Sequence, residues 1–199
     1  MTEYENKYLN VGYQYIAGID EAGRGPIAGP VVAAAVILKP NFDYGYINDS
    51  KKLSQKKLVD AYDAIINNAI VGIGIVDNNT IDKINILEAT KLAMRNAVDN
   101  LEIEPEVLLV DAVELKGAII SESIIKGDQK SISIAAASII AKVTRDRIMI
   151  KYDEKYPEYN FKKHKGYPTK EHKEKVFKNG ICEIHRKTFA PIKFLEQAK

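Results

Sequence analysis

Four acidic residues occupy places where a solvated surface charge is not the natural explanation. Asp20 and Glu21 follow the apolar run of residues 15–19 and precede a glycine loop. Asp111 follows Val107-Leu108-Leu109-Val110 directly, and Asp128 lies in Lys126-Gly127-Asp128-Gln129-Lys130, just ahead of the small residues 135–138. Strand ends border the functional crevice of an α/β sheet, so acids there can converge. Converged carboxylates repel one another and lose hydration unless a cation neutralises them. Hard divalent ions such as Mg²⁺ and Mn²⁺ prefer that all-oxygen environment. Two such ions roughly 3.5–4 Å apart can activate water on one side of a phosphodiester and stabilise the leaving oxygen on the other. A single strand-end acid more often caps a helix or pairs with a lysine; three or four in one short chain favour the metal reading.

Other chemistries find less support. Gly23-Arg24-Gly25-Pro26-Ile27-Ala28-Gly29 has the wrong glycine spacing for a dinucleotide fingerprint and leads into a strand rather than a helix. No glycine-lysine phosphate loop of the Walker type is present, and His164, His172 and His185 lack paired metal spacing. Cys182, the single cysteine, excludes an internal disulfide and reads as a small buried apolar residue. Asp146 in Thr144-Arg145-Asp146-Arg147 reads as an ion-pair partner on a helix.

The elements that must position these groups follow from periodicity. Residues 15–20, 31–38, 70–76, 107–110 and 119–125 are predicted strands; 31–38 is apolar on both faces and so central. Ser54 caps a predicted helix through about Asn68, with Leu58, Ala61, Tyr62 and Ile65 on one face. A second helix opens at Thr80 and reaches Leu101, burying Leu87, Met94, Ala97 and Leu101. A long helix covers about 133–156 and stops at Pro157, and a last one runs from Thr169 to the Asn179-Gly180 terminator. The expected architecture is α/β: a mixed sheet flanked by helices over residues 1–156, with a basic helical lobe at 157–199 in the same compact unit.

The chain has 199 residues, 46% hydrophobic and 28% charged, which suits one globular domain. Its longest apolar stretch, 27–38, is too short to span a bilayer, and its N-terminus is too acidic and polar for a secretory signal. A cytoplasmic protein is expected. The net charge of +2 hides an asymmetry: residues 1–150 hold 16 Lys+Arg against 20 Asp+Glu, and residues 151–199 hold 13 against 7. Charge alone does not choose between a polyanion laid against the basic quarter and a solvated lysine-rich surface.

One family resemblance gathers these residues. Gly18-Ile19-Asp20-Glu21-Ala22-Gly23-Arg24-Gly25-Pro26, Asp49-Ser50-Lys51-Lys52-Leu53, Asp111-Ala112, Lys126-Gly127-Asp128 with residues 135–143, His164-Lys165-Gly166-Tyr167 and His185-Arg186-Lys187-Thr188-Phe189 stand in that order. Together they resemble the motifs of ribonuclease HII, the type 2 ribonuclease H family, from about residue 15 to 192. Six motifs in sequence are hard to obtain by chance.

The resemblance implies an RNase H-like fold and an endonuclease that cuts the RNA strand of RNA–DNA hybrids, including ribonucleotides embedded in duplex DNA. It implies Mg²⁺ or Mn²⁺ on Asp20, Glu21, Asp111 and Asp128, and products with 5′-phosphate and 3′-hydroxyl ends. It assigns the backbone of Gly23, Arg24 and Gly25 to the ribose 2′-hydroxyl and Tyr167 to stacking on the adjacent deoxyribose. Ser50, Lys51 and Lys52 would lie near phosphates, and His164 and Lys165 belong with the substrate-contacting residues. Apart from the resemblance, Gly23 and Gly25 could serve only a turn, and Tyr167 could be core. Residues 1–14 match nothing usable. The C-terminus lacks the glutamine-plus-aromatics motif that tethers some relatives to a sliding clamp, which argues against that partner, and a monomer is expected. The related ribonuclease HIII has a different glycine loop and an extra N-terminal domain for which this chain has no room. A DNA junction resolvase type of nuclease and a non-catalytic hybrid-binding protein are the alternatives.

Overall fold

The computed structural model describes residues 1–40, 47 and 54–197. The expectations for Ser50, Lys51 and Lys52 lie outside the described residues. Along the chain run α1 (Glu3–Leu9), β1 (Ile16–Ala22), β2 (Val31–Leu38), α2 (Gln55–Asn68), β3 (Ala69–Val76), α3 (Asn78–Asp99), β4 (Val107–Asp111) and β5 (Ile120–Ile124). A 3₁₀ turn (Gly127–Gln129) then leads into α4 (Ile132–Lys155), α5 (Phe161–His164), α6 (Lys170–Asn179) and α7 (Ile192–Gln197).

The five strands form one mixed sheet in the order β3-β2-β1-β4-β5. β1 pairs antiparallel with β2 and parallel with β4, and β2 is an inner strand between β1 and β3, as its two apolar faces require. Strand alternation sorts β2 between two cores. Ala33, Ala35 and Ile37 face α3, with Ala89, Ala93, Met94 and Ala97. Ala34 and Val36 face α2 and α4, with Leu58, Ile65, Ala136 and Ile140.

Local signals explain most boundaries. Ser54 caps α2 by accepting from Lys57 N–H, and Thr169 caps α6 by accepting from His172 N–H. α3 starts earlier than expected because Asp77, not Thr80, is its cap: the Asp77 carboxylate accepts from Thr80 N–H at 2.7 Å. Leu87, expected on the buried stripe, is exposed. Asn85 breaks the helix with φ 66°, and its side chain re-caps the next turn by accepting from Leu87 and Glu88 N–H. That break resets the phase of the helical face.

α1 and α7 had no signal in the apolar periodicity, and α1 gains its place through tertiary contacts. Glu5 is buried against the start of α4 and accepts from Ser131 Oγ, Ser133 Oγ and Ser133 N–H. The C-terminal quarter packs on the body through Ile27, Ala28 and Met149, which share a cluster with Tyr159, Phe161, Val176, Ile184 and Ile192.

α4 lies on β1 with no room for a side chain between them. A Cβ on Gly18 would fall 2.1 Å from the carbonyl carbon of Ser133. Gly18→Ala is therefore expected to lower unfolding stability by about 3 kcal/mol, read by urea denaturation; an unchanged midpoint would mean that α4 can slide off β1 freely.

Candidate active site

The sheet register brings two of the acids together. Ile19 of β1 pairs with Val110 of β4 in parallel, so Asp20 and Asp111 follow at neighbouring carboxyl ends. Asp20 is buried, and its Oδ1 accepts from Glu21 N–H at 2.7 Å. Burial lifts the Asp20 carboxyl well above the ordinary aspartate value; Glu21 and Asp111 push it further up, against a hydrogen bond from Ser138. Burial also raises Glu21, opposed by Arg24, whose Nη1 lies 3.3 Å from Glu21 Oε1, while Asp111 again adds to the rise.

A tight turn sets Asp128 and orients Asp111. Gly127 N–H donates to Asp111 Oδ1 at 2.6 Å, which draws the Gly127–Gln129 turn, and the buried Asp128 in it, toward β4. Two non-glycine residues beside these acids are left-handed: Ala112 after Asp111 (φ 50°) and Lys126 before Gly127 (φ 57°). Such conformations cost on the order of 1 kcal/mol each and cluster at functional sites.

These residues suit a divalent cation. Glu21 Oε2 is buried with no hydrogen-bond partner, and the set is all oxygen, with carboxyls that desolvation and mutual repulsion hold back from ionising. Among the described residues no three His, Cys, Asp or Glu side chains are already gathered to hold one ion. Asp20, Glu21 and Asp111 act on one another at neighbouring strand ends, with Asp128 in the turn that is drawn toward β4, rather than forming a closed cage.

A cleft of about 330 Å³ opens beside them. Glu21 and the Gly23-Arg24-Gly25 loop form one wall, Tyr167 another, and Ser138, Lys142, Arg145 and Asp146 of α4 the floor. Asp146 pairs with Lys142 at 3.3 Å, as an ion-pair partner. Tyr167 is 47% exposed and so is not core. Its Cε1 lies 3.6 Å from where a Cβ on Gly25 would be, and the Arg145 guanidinium carbon is 5.9 Å from its ring centre. Gly23 has φ +100°, and a Cβ there would strike Arg145 Nε at 2.2 Å, so the glycine serves more than a turn. The α4 contribution was missed in the sequence, although Ser138, Lys142 and Arg145 are spaced i, i+4, i+7 on one helical face.

His164 does not present its ring to the cleft. It is buried, accepting from Gly166 N–H at Nδ1 and lying 2.8 Å from the Tyr159 carbonyl at Nε2. Its neighbour Lys165 is left-handed and turns its ammonium back onto the Lys162 carbonyl. The basic lobe is also less free than its composition implies: Lys162, Lys163 and Lys170 stand beside Asp153, Glu171 and Glu174. These lysines are well exposed, so such pairs are weak and can yield to a phosphate.

All three histidines stack in one buried cluster behind Tyr167, with His164 and His172 rings 4.2 Å apart. The hydrogen-bond network assigns their tautomers. His172 Nδ1 donates to the Tyr167 carbonyl at 2.9 Å, so its Nε2 accepts from His185 Nε2 at 3.2 Å. His185 Nδ1 then accepts from Cys182 N–H at 3.0 Å. Each ring is neutral.

This arrangement of acids and cleft on a mixed sheet has known counterparts. The ribonuclease H2 crystal structure from Pyrococcus horikoshii OT3 superposes with TM-score 0.78 at 28% identity, covering 92% of this chain and 97% of that one. The RNase HII in the PCNA:RNase HII complex from Archaeoglobus fulgidus gives TM-score 0.74 at 27% identity, over 88% and 95%. The fold class is therefore that of the ribonuclease H nucleases. Within it, residues 17–194 match the family model of ribonuclease HII, and the chain is 58% identical over 194 residues to ribonuclease HII of Listeria monocytogenes serotype 4a (strain HCC23), 97% of this chain and 74% of that protein. The chain belongs to the ribonuclease HII family, whose members are endoribonucleases acting on RNA–DNA.

The histidine cluster gives a pH dependence. Burial depresses His172 and His185 to about 4, whereas the unfolded chain takes up protons near the usual value of about 6.5. Their contribution is complete above about 6.5 and is lost as pH falls toward 4, on the order of 3 kcal/mol for one ring. Asp20 and Glu21, raised in the folded state, respond in the opposite sense. Thermal melts from pH 7 to pH 4.5 should therefore show a smaller acid-induced drop for His172→Phe than for wild type; equal drops would refute the neutral cluster.

Proposed function

We propose that this chain cuts the RNA strand of RNA–DNA hybrids and also acts at single ribonucleotides embedded in duplex DNA, leaving 5′-phosphate and 3′-hydroxyl ends. The observation that carries this reading is that Glu21, next to the buried Asp20, lines the cleft walled by Gly25 and Tyr167. A scissile phosphate and the neighbouring sugar can then be held at once.

Asp20, Glu21, Asp111 and Asp128 would hold Mg²⁺ or Mn²⁺. When bound, such ions supply charge neutralisation and Lewis acidity to a phosphodiester. The remaining roles belong to the chain. Asp20 and Glu21 ionise once their repulsion is compensated, and Asp111 is oriented by Gly127 N–H. The Gly23-Arg24-Gly25 backbone approaches the 2′-hydroxyl, the group by which RNA differs from DNA at that position. Tyr167 offers its exposed ring to the adjacent deoxyribose. Lys142, at the cleft floor, and the exposed lysines of the C-terminal lobe meet backbone phosphates. No helix among the described residues is long and apolar enough to cross a membrane.

A gel assay on three duplexes tests the reading: an RNA–DNA hybrid, DNA with one ribonucleotide, and the matching all-DNA duplex, each with Mg²⁺ or Mn²⁺. Cleavage of the first two alone is expected. Cutting of the all-DNA duplex would point to a resolvase-type nuclease, and binding without cleavage to a hybrid-binding protein; either overturns the proposal. Asp111→Asn should reduce cleavage by about 100-fold or more with the melting temperature retained; retained activity would remove Asp111 from the metal site. Tyr167→Ala should slow cleavage at a lone ribonucleotide by about tenfold or more, in line with the 1–3 kcal/mol typical of aromatic stacking on a nucleotide; an unchanged rate would refute the stacking role.

A further inference from the structure

Two guanidinium groups are buried beneath the glycine loop, and backbone carbonyls rather than carboxylates take their hydrogen bonds. Arg145 donates to Pro30, Lys165 and Ala28 carbonyls at 3.0, 2.9 and 3.2 Å. Arg186, fully buried, donates through Nε to Gly29, through Nη1 to Arg24, and through Nη2 to Gly23 and Pro30, at 3.0, 3.0, 2.6 and 3.2 Å. The loop from Gly23 to Pro30 thus closes around one planar cation. Phe189 lies against the same guanidinium, with its ring centre 5.0 Å from the central carbon.

In a trans peptide the C=O and N–H point in opposite directions. Holding the Gly23 and Arg24 carbonyls inward on Arg186 therefore turns the N–H groups of Arg24 and Gly25 outward, on the side where residues 23–25 line the cleft. A charge on the carbonyl end of a peptide also polarises it and strengthens its N–H as a donor. Burial, with Arg145 nearby, pulls the Arg186 guanidinium down only to about 9, so it stays charged at neutral pH.

We propose that Arg186 is a positioning residue for ribose recognition: its guanidinium fixes the two peptide planes of Gly23-Arg24-Gly25 so that their N–H groups face the 2′-hydroxyl. The inference rests on the reading of that loop as the sugar reader. It assigns a role in specificity to a side chain that never touches substrate. Lysine keeps the charge but not the planar fork, and cannot hold the Gly23, Arg24, Gly29 and Pro30 carbonyls in one plane.

The test compares affinities, by fluorescence anisotropy in Ca²⁺, for duplex DNA containing one ribonucleotide and for the same duplex all in DNA. Wild type is expected to prefer the ribonucleotide. In Arg186→Lys that preference should fall by about tenfold or more, while affinity for the all-DNA duplex changes by less than about twofold. Should Arg186→Lys fail to fold by circular dichroism, Phe189→Leu, which removes the ring against the guanidinium, takes its place with the same expected direction. A folded variant that keeps the wild-type preference, or that weakens on both duplexes equally, overturns the proposal. If wild type shows neither preference nor cleavage of the ribonucleotide duplex, the functional reading itself has failed, a separate result.

Discussion

Two adjacent carboxylates drawn out of water beside a third are costly to ionise, and much of this molecule is arranged around that cost. Asp20 and Glu21 sit at the end of the central strand, where solvent is scarce and where Asp111 of the parallel neighbour adds its charge. Relaxation would move the side chains apart. Several features oppose it: Gly127 N–H holds Asp111, left-handed residues shape the turns on either side, and α4 presses onto β1 at Gly18, carrying Ser138 to Asp20. Even α1 contributes, since Glu5 anchors the serines at the start of α4, close in sequence to the turn that bears Asp128. The packing holds the carboxylates in a field that a divalent cation would relieve.

The opposite wall of the cleft follows a different logic. Its backbone is supported from behind by donors that match its acceptors: guanidinium groups under the glycine loop, and a neutral imidazole on the Tyr167 carbonyl. Ile27 N–H also donates to the Gly166 carbonyl, and Arg186 N–H to Ile27, so the glycine loop and the tyrosine loop are stitched together. The basic C-terminal quarter therefore does more than supply positive charge. Its buried residues are the underside of the glycine-loop and tyrosine wall, which explains why every histidine in the chain lies there and none is exposed.

How much of this could be read from residues alone varied with the kind of information involved. The five strands and the long helices follow from periodicity and capping residues, because those signals are local. α3 shows where local reading stops: Asn85 is an ordinary helix residue until its side chain caps a second start, and Leu87 then turns to solvent. The four acids were conspicuous through their placement after apolar runs, but their mutual field depends on β1 and β4 pairing in parallel, which no local pattern states. His164 shows the reverse error. A polar residue inside a motif suggested substrate contact, whereas its ring is spent on the Tyr159 carbonyl and Gly166 N–H. Arg145 and Arg186 carry no local signal of their roles, because most of their carbonyl partners lie more than a hundred residues away.

The contrast between the two walls bears on how cutting and choosing are divided. On the acid side, hydrogen bonding is incomplete: Glu21 Oε2 has no partner, and carboxyls that should be charged are held back. Such a surface gains most from whatever brings positive charge, and by itself it has little means of telling one sugar from another. On the loop side, the carbonyls are satisfied and the backbone is locked, so its outward groups keep one geometry whether or not a cation is present. On the proposed function, a sugar lacking the hydroxyl would leave those donors without that acceptor, and such a penalty can discriminate strongly. On the proposed function, selectivity for a ribonucleotide would reside in the wall whose backbone is already hydrogen-bonded from behind, and reactivity in the wall of carboxylates. Separating the two lets each be held by the interactions it needs, guanidinium on carbonyl in one case and strained carboxylates in the other.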